Sequence, residues 1–252
     1  MLYVALTWWL LVIVFSAWGV HWLWSRMVRP RVINTVLLPG TLVAQLGHVL
    51  GLLVTGNSVR NTTLMGDDED GGPKSDTPAE QRIPIIGPIL TGLLPLVACG
   101  GGLYLVSRWW GGSVLSGLSK SGGVGMSQTM PMSLHAMWQM LRDSITNTEN
   151  MLDAILHSDL TNWTTILFLY LAVCLTVRMT PFEGNRRGAI GAIALAGLTV
   201  GLISLLAGGV ERFVQTSWPI LSFATGMLLF LLLTTLLISG VVGLVRILAK
   251  NE

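Results

Sequence analysis

His48 is the residue whose type and setting could do chemistry. It lies in the run Val32 to Thr55, which holds no other ionisable side chain. An imidazole inside an apolar run of membrane length is costly, so it pairs, lines a cavity or ligates a metal. A catalytic zinc takes three protein ligands. A single imidazole is more simply a neutral, hydrogen-bonded core residue. The other histidines are His21, His135 and His157. His21 falls at a membrane interface. His157 stands two residues from Asp159, close enough for a pair at a membrane surface. Cys99 and Cys174 both fall inside apolar runs and read as buried thiols. Cys99-Gly100-Gly101-Gly102 points to close packing or a kink rather than a phosphate cradle. There is no phosphate loop with its lysine, no cysteine pair at zinc spacing and no nucleophile elbow.

The elements that must position these residues are apolar helices. Of 252 residues, 52% are hydrophobic and 11% charged; soluble domains carry charge on about a quarter of their residues. About 20 apolar residues cross a bilayer as a helix, and only helices and closed barrels satisfy their backbone in lipid. Six runs qualify: Leu2 to Trp24, Val32 to Thr55, Ile83 to Trp110 (interrupted by Pro84, Pro88 and Pro95), Leu160 to Val177, Ala189 to Val210, and Pro219 to Leu248. The first lacks a basic residue ahead of it and is longer than a signal-peptide core, so it reads as a retained anchor with an interfacial tryptophan belt. The expected fold is a single all-α integral membrane domain over residues 1–252 with about six transmembrane helices.

Two segments are unlike membrane. Residues 56–82 form a polar, acidic loop, and Ser58 to Leu64 at its start has the alternation of a short strand or β-hairpin. Residues 111–158 begin as a Gly/Ser-rich link, through Gly125. They continue as an amphipathic helix on Leu134, Met137, Trp138, Leu141, Ile145, Leu152, Ile155 and Leu156, with Ser133 as N-cap. Its polar face, with Arg142, Asp143, Glu149 and Asp153, is mildly acidic, which favours packing on protein over anionic lipid. In the fifth run Gly188, Ala192 and Ala196, and again Gly197 and Gly201, recur every four residues, a helix-packing face. Charge does not fix orientation: six spans divide the 15 basic residues eight to seven. No basic run points to nucleic acid.

The second run, Leu38-Pro39-Gly40-Thr41 through Ala44-Gln45-Leu46-Gly47-His48 to Thr55-Gly56, resembles the site-2 protease family of intramembrane zinc metalloproteases. Members carry His-Glu-x-x-His on this helix. Its two histidines share a zinc, and its Glu is general base for the metal-bound water. Ile85-Ile86-Gly87-Pro88 with Leu94-Pro95-Leu96 is similar to the family's next span, and Ser58 to Leu64 to its membrane-associated strands. Trp163-Thr164-Thr165 and the stretch Met179 to Asn185 are similar to the segment that supplies the third ligand, an Asp. The resemblance covers roughly Leu38 to Gly209. It implies lost chemistry: Ala44 stands at the first His, Gln45 at the Glu, and Asn185 at the Asp, leaving His48. A carboxamide accepts no proton near neutral pH.

The resemblance therefore implies a catalytically inactive, site-2 protease-like subunit that binds or assembles other membrane proteins, with the bilayer and a membrane-protein partner or oligomer as its contacts and no cofactor. One alternative is an active zinc protease with a rearranged site using His48, Glu183 and His157. The other is a small transporter or channel component. Family analogy places the chain in a bacterial or archaeal cytoplasmic membrane with its N-terminus inside.

Overall fold

The computed structural model describes residues 2–56, 60–63, 74–76, 86–120, 133–179 and 210–250. Among them are eight helices: α1 (Leu2–Met27), α2 (Pro30–Val36), α3 (Leu38–Val54), α4 (Ile86–Trp110), α5 (Gly112–Lys120), α6 (Leu134–Leu156), α7 (Trp163–Val177) and α8 (Val210–Lys250). Two short strands, β1 (Arg60–Thr63) and β2 (Lys74–Asp76), pair antiparallel, with Arg60 opposite Asp76 and Thr63 opposite Lys74. The acidic run Asp67 to Asp70 and the fifth apolar run up to Gly209 lie outside the described residues.

Among the described residues two helical stretches, Ala5–Met27 and Trp218–Val242, are long and apolar enough to cross a membrane. The count is three if α2 and α3 are one bent span. At 1.5 Å per residue a 23-residue helix is about 35 Å long, against a hydrocarbon core of about 30 Å. The outward faces are apolar: Phe15, Trp18 and Trp22 on α1, Leu42, Leu46, Leu50 and Leu53 on α3, and Leu233, Leu236 and Leu237 on α8 are all exposed. Continuous apolar surface on this scale is foreign to soluble monomers and suited to lipid.

The second apolar run is not one helix. The chain turns by 84° between α2 and α3, at Leu37. Pro39 is the cause, because its ring cannot follow the carbonyl of Thr35 in a continuing helix and it has no N–H to donate. It sits instead in the first turn of α3, where a missing donor costs nothing. At the other end Gly56, at φ 70°, lets the chain leave α3 in the left-handed region.

The third run behaves in the opposite way: α4 is continuous, with Pro95 inside it. The fourth yields α7, whose 15 residues make it apolar but shorter than a full span. Asn162 caps it by accepting from the Thr164 amide at 3.1 Å. The Gly/Ser stretch after Gly111 is also a correction, since Gly112–Lys120 is helical. Val114 and Leu118, one turn apart, are buried in the core, and Gly117 packs on Ala154 of α6. Tertiary burial overrides the weak helix propensity of those residues.

Ser133 caps α6 as expected, accepting from the Ala136 amide at 3.1 Å. The buried face of α6 is displaced from the one the apolar spacing indicates. Asn147, Met151 and Ala154 are buried, whereas Trp138, Ile145 and Leu156 are exposed. Asn147 Nδ2 donates to the Ser222 carbonyl at 2.9 Å and fixes α6 on α8. His157 does not pair with Asp159. It meets Asp153 one turn back at 3.1 Å, while the Asp159 carboxylate accepts from the Thr161 hydroxyl and amide at 2.6 and 3.0 Å. Those bonds hold the Asp159 carboxyl below the usual carboxylate range.

One core joins the elements. Ile13, Ala17 and Val20 of α1, Phe168 and Ala172 of α7, and Phe223, Ala224 and Leu228 of α8 share it, with the Phe168 and Phe223 rings 5.3 Å apart. Helix α4 packs between α3 and α7 and runs antiparallel to both: Gly47 meets Pro95, Val43 lies near Gly102, and Cys99 meets Arg178. In contrast α1 and α8 are parallel, because Gly19 meets Leu232 and Trp24 meets Thr235. The ends of α1 and α8 therefore lie on one side. In a variant lacking Cys99 and Cys174, single cysteines at Ser25 and Val241 are expected to react with an impermeant thiol reagent from the same face of sealed vesicles. Reaction from opposite faces would contradict the parallel pairing.

Candidate functional site

The face of α3 that carries Thr41, Ala44, Gln45, His48 and Leu52 is buried, each residue 5% exposed or less. These positions recur at three and four residues and form the stripe that a packed helix needs. The opposite stripe, Leu42, Leu46, Leu50 and Leu53, faces outward. The positions where chemistry was sought thus form a helix interface.

Helix α4 covers that interface. Pro95 lacks an N–H, so the carbonyl of Thr91, its partner four residues back, receives no ladder bond from it. A carbonyl left dry in an apolar interior is expensive. His48 Nδ1 lies 3.4 Å from that oxygen. The carbonyl can only accept, so the imidazole is assigned its Nδ1–H tautomer here. Gly47 makes the approach feasible: a Cβ there would lie 2.6 Å from the Leu94 carbonyl oxygen and 2.7 Å from Pro95 Cα. Only a helix with hydrogen at this position can come so close to a proline-containing turn.

Ala44 contributes a methyl group to the core. Gln45 is 3% exposed, and its Nε2 has no hydrogen-bond partner among the described residues.

A second junction lies at the α2–α3 corner. Breaking the helix at Leu37 takes the Val36 carbonyl out of a continuous ladder. Tyr170 Oη donates to it at 2.8 Å, and Cys174 Sγ lies 3.6 Å away, both from α7. Gly40 abuts the Cys174 carbonyl so closely that a Cβ would overlap it. Arg178, at the C-cap of α7, donates through a terminal guanidinium nitrogen to Asn34 Oδ1 of α2. Arg178 is 7% exposed, and among the described residues no carboxylate pairs with it. The Cys99 thiol lies 3.8 Å from the Arg178 carbonyl, tying α4 to the same corner. Both cysteines are buried and free.

Of the remaining candidates, His157 is described and is not brought to His48. His157 ends α6 with its side chain 77% exposed, on a helix that packs against α5 and α8. Asn185, Glu183, Gly188, Ala192, Ala196, Gly197 and Gly201 lie outside the described residues. Among the described residues no three His, Cys, Asp or Glu side chains gather where they could hold a metal ion. Their donor set at this site, one imidazole beside a methyl and a carboxamide, does not fit zinc.

The sequence reading missed Asn34, Arg178 and Thr91. Pro95 was the available signal, since it has no N–H to give to the Thr91 carbonyl.

An orphan buried amide costs about 1–3 kcal/mol. Gln45→Met, close to isosteric, is therefore expected to raise unfolding stability by about 1 kcal/mol, read by thermal denaturation in detergent. A loss of that size would mean that the carboxamide has a partner. The chain matches no family model, no curated protein and no solved structure.

Proposed function

We propose that this chain is a catalytically inactive, site-2 protease-like integral membrane protein that binds or assembles other membrane proteins. The observation that carries this reading is the use made of α3. The positions where the resembling family holds its metal are occupied here by a methyl, a buried carboxamide whose Nε2 has no partner among the described residues, and an imidazole directed at the Thr91 carbonyl. The same helix offers the apolar stripe Leu42, Leu46, Leu50 and Leu53 to lipid or to a partner's helix.

The proposal includes six apolar runs within the bilayer of a bacterial or archaeal cell, a short β-hairpin after the second run, and an N-terminus inside by family analogy. Parallel α1 and α8 require an odd number of full crossings. Six runs meet that condition when one of them enters and turns, and the bent α2–α3 segment has the shape for it.

Two measurements on protein purified in mild detergent test the function. Elemental mass spectrometry is expected to find far less than one zinc per chain, in wild type and in His48→Ala alike. Native electrophoresis is expected to show the chain in a complex with a second membrane polypeptide. About one zinc per chain that disappears in His48→Ala, with zinc-dependent cleavage of a membrane-spanning substrate, would overturn the proposal.

A further inference from the structure

The end of α1, the stretch of α8 around Thr235 and Ile238, and the length of α2 enclose a groove. It has a volume of ≈ 230 Å³ and is lined by, among others, Trp24, Val28, Val32, Leu37 and Ile238. Its wall is almost wholly carbon. The polar groups beside it are engaged with each other: Trp24 Nε1 donates to Thr235 Oγ1 at 2.9 Å, and that hydroxyl donates to the Leu231 carbonyl at 2.6 Å. A polar solute would find nothing to bond there. A hydrocarbon chain would bury its surface and that of Val28 and Val32, which are 44% and 50% exposed.

The chain that joins α1 to α2, beside the groove, has the opposite character. Arg26, Arg29 and Arg31 fall within six residues, all exposed, and the first acidic residue of the whole chain is Asp67. Arg26 is held with its guanidinium carbon 3.6 Å from the ring centroid of Trp22, itself 44% exposed. An exposed tryptophan near the end of a membrane-length helix sits at headgroup depth, and an arginine stacked on it is kept there too. An apolar slot beside an arginine-rich turn, where α1 ends against α8, is complementary to an anionic amphiphile. Arginine also matches phosphate oxygens with paired N–H donors.

We propose that this groove binds one anionic phospholipid, its acyl chain along Val32, Leu37 and Ile238 and its phosphate among Arg26, Arg29 and Arg31. The lipid completes the packing between α1, α2 and α8 at the corner that carries α3. The inference rests on the membrane setting of the proposed function, which has its own readout. Release of the chain from membranes by alkaline wash without detergent would overturn that setting, whereas the titration below reads the groove itself.

The test is native mass spectrometry of the full chain, delipidated in mild detergent and titrated with phosphatidylglycerol or phosphatidylcholine of identical acyl chains. Phosphatidylglycerol is expected to be retained about tenfold more strongly, a modest return from three arginines near an anionic headgroup. The triple variant R26Q/R29Q/R31Q is expected to lose that preference. Val32→Trp, which fills the groove, is expected to weaken both lipids; Ile238→Trp serves the same end should Val32→Trp fail to fold. Equal retention of the two lipids by wild type would overturn the proposal, as would undiminished retention in the folded groove-filling variant. Displacement of the lipid by excess inorganic phosphate would also overturn it, because the arginines would then hold a free anion without the groove.

Discussion

A backbone carbonyl deprived of its helical partner must find another donor when no water is near. Two prolines create this condition, and much of the bundle is arranged around it. Pro95 leaves the Thr91 carbonyl of α4 without its ladder bond, and His48 of α3 approaches it. Pro39 turns the second apolar run at Leu37, and α7 supplies Tyr170 and Cys174 to the carbonyl of Val36. In each case the donor comes from the neighbouring helix, so each local defect also fixes a tertiary contact. The glycines follow from the same need. Gly47 and Gly40 stand where α3 must come within backbone distance of α4 and α7.

This arrangement gives the resemblance to zinc metalloproteases a physical content that does not depend on catalysis. A helix able to bring metal ligands close to its neighbours must pack tightly on them, through small residues and at a broken turn. Here tight packing is present, and the positions that the resemblance singles out take part in it. Ala44 fills core volume, His48 meets a main-chain oxygen, and Gln45 is enclosed with its Nε2 unpartnered among the described residues. The polar groups that remain buried sit at helix junctions: Asn34 with Arg178 at the corner, and Asn147 with the Ser222 carbonyl between α6 and α8. Such groups specify one register, because sliding either helix would leave them unpaired.

The apolar character of α1 and α8, the cap at Ser133 and the end of α3 at Gly56 were legible in the sequence, because each follows from composition or from a local backbone requirement. The bend at Leu37 was signalled by Pro39 but hidden by the unbroken hydropathy around it. Helix α5 was obscured because Gly and Ser dominate its composition while only Val114 and Leu118 decide its burial. The spacing of apolar residues on α6 pointed to a face that is partly exposed, since Trp138 and Leu156 can lie against lipid as readily as against protein. The contacts of His48 and Arg178 were beyond reach for a different reason. Their partners lie 43 and 144 residues away, and helix packing alone brings them together.

The central claim is that His48 is held by a main-chain oxygen whose ladder bond Pro95 removes. A double-mutant cycle between His48→Ala and Pro95→Ala, read as unfolding free energy in detergent, tests it most directly. Alanine at position 95 restores a donor for the Thr91 carbonyl. The account predicts that His48→Ala costs about 1–3 kcal/mol in the native background and clearly less with Pro95→Ala, so that the two are coupled. Strictly additive costs would contradict it and would show that His48 is retained for something other than this bond.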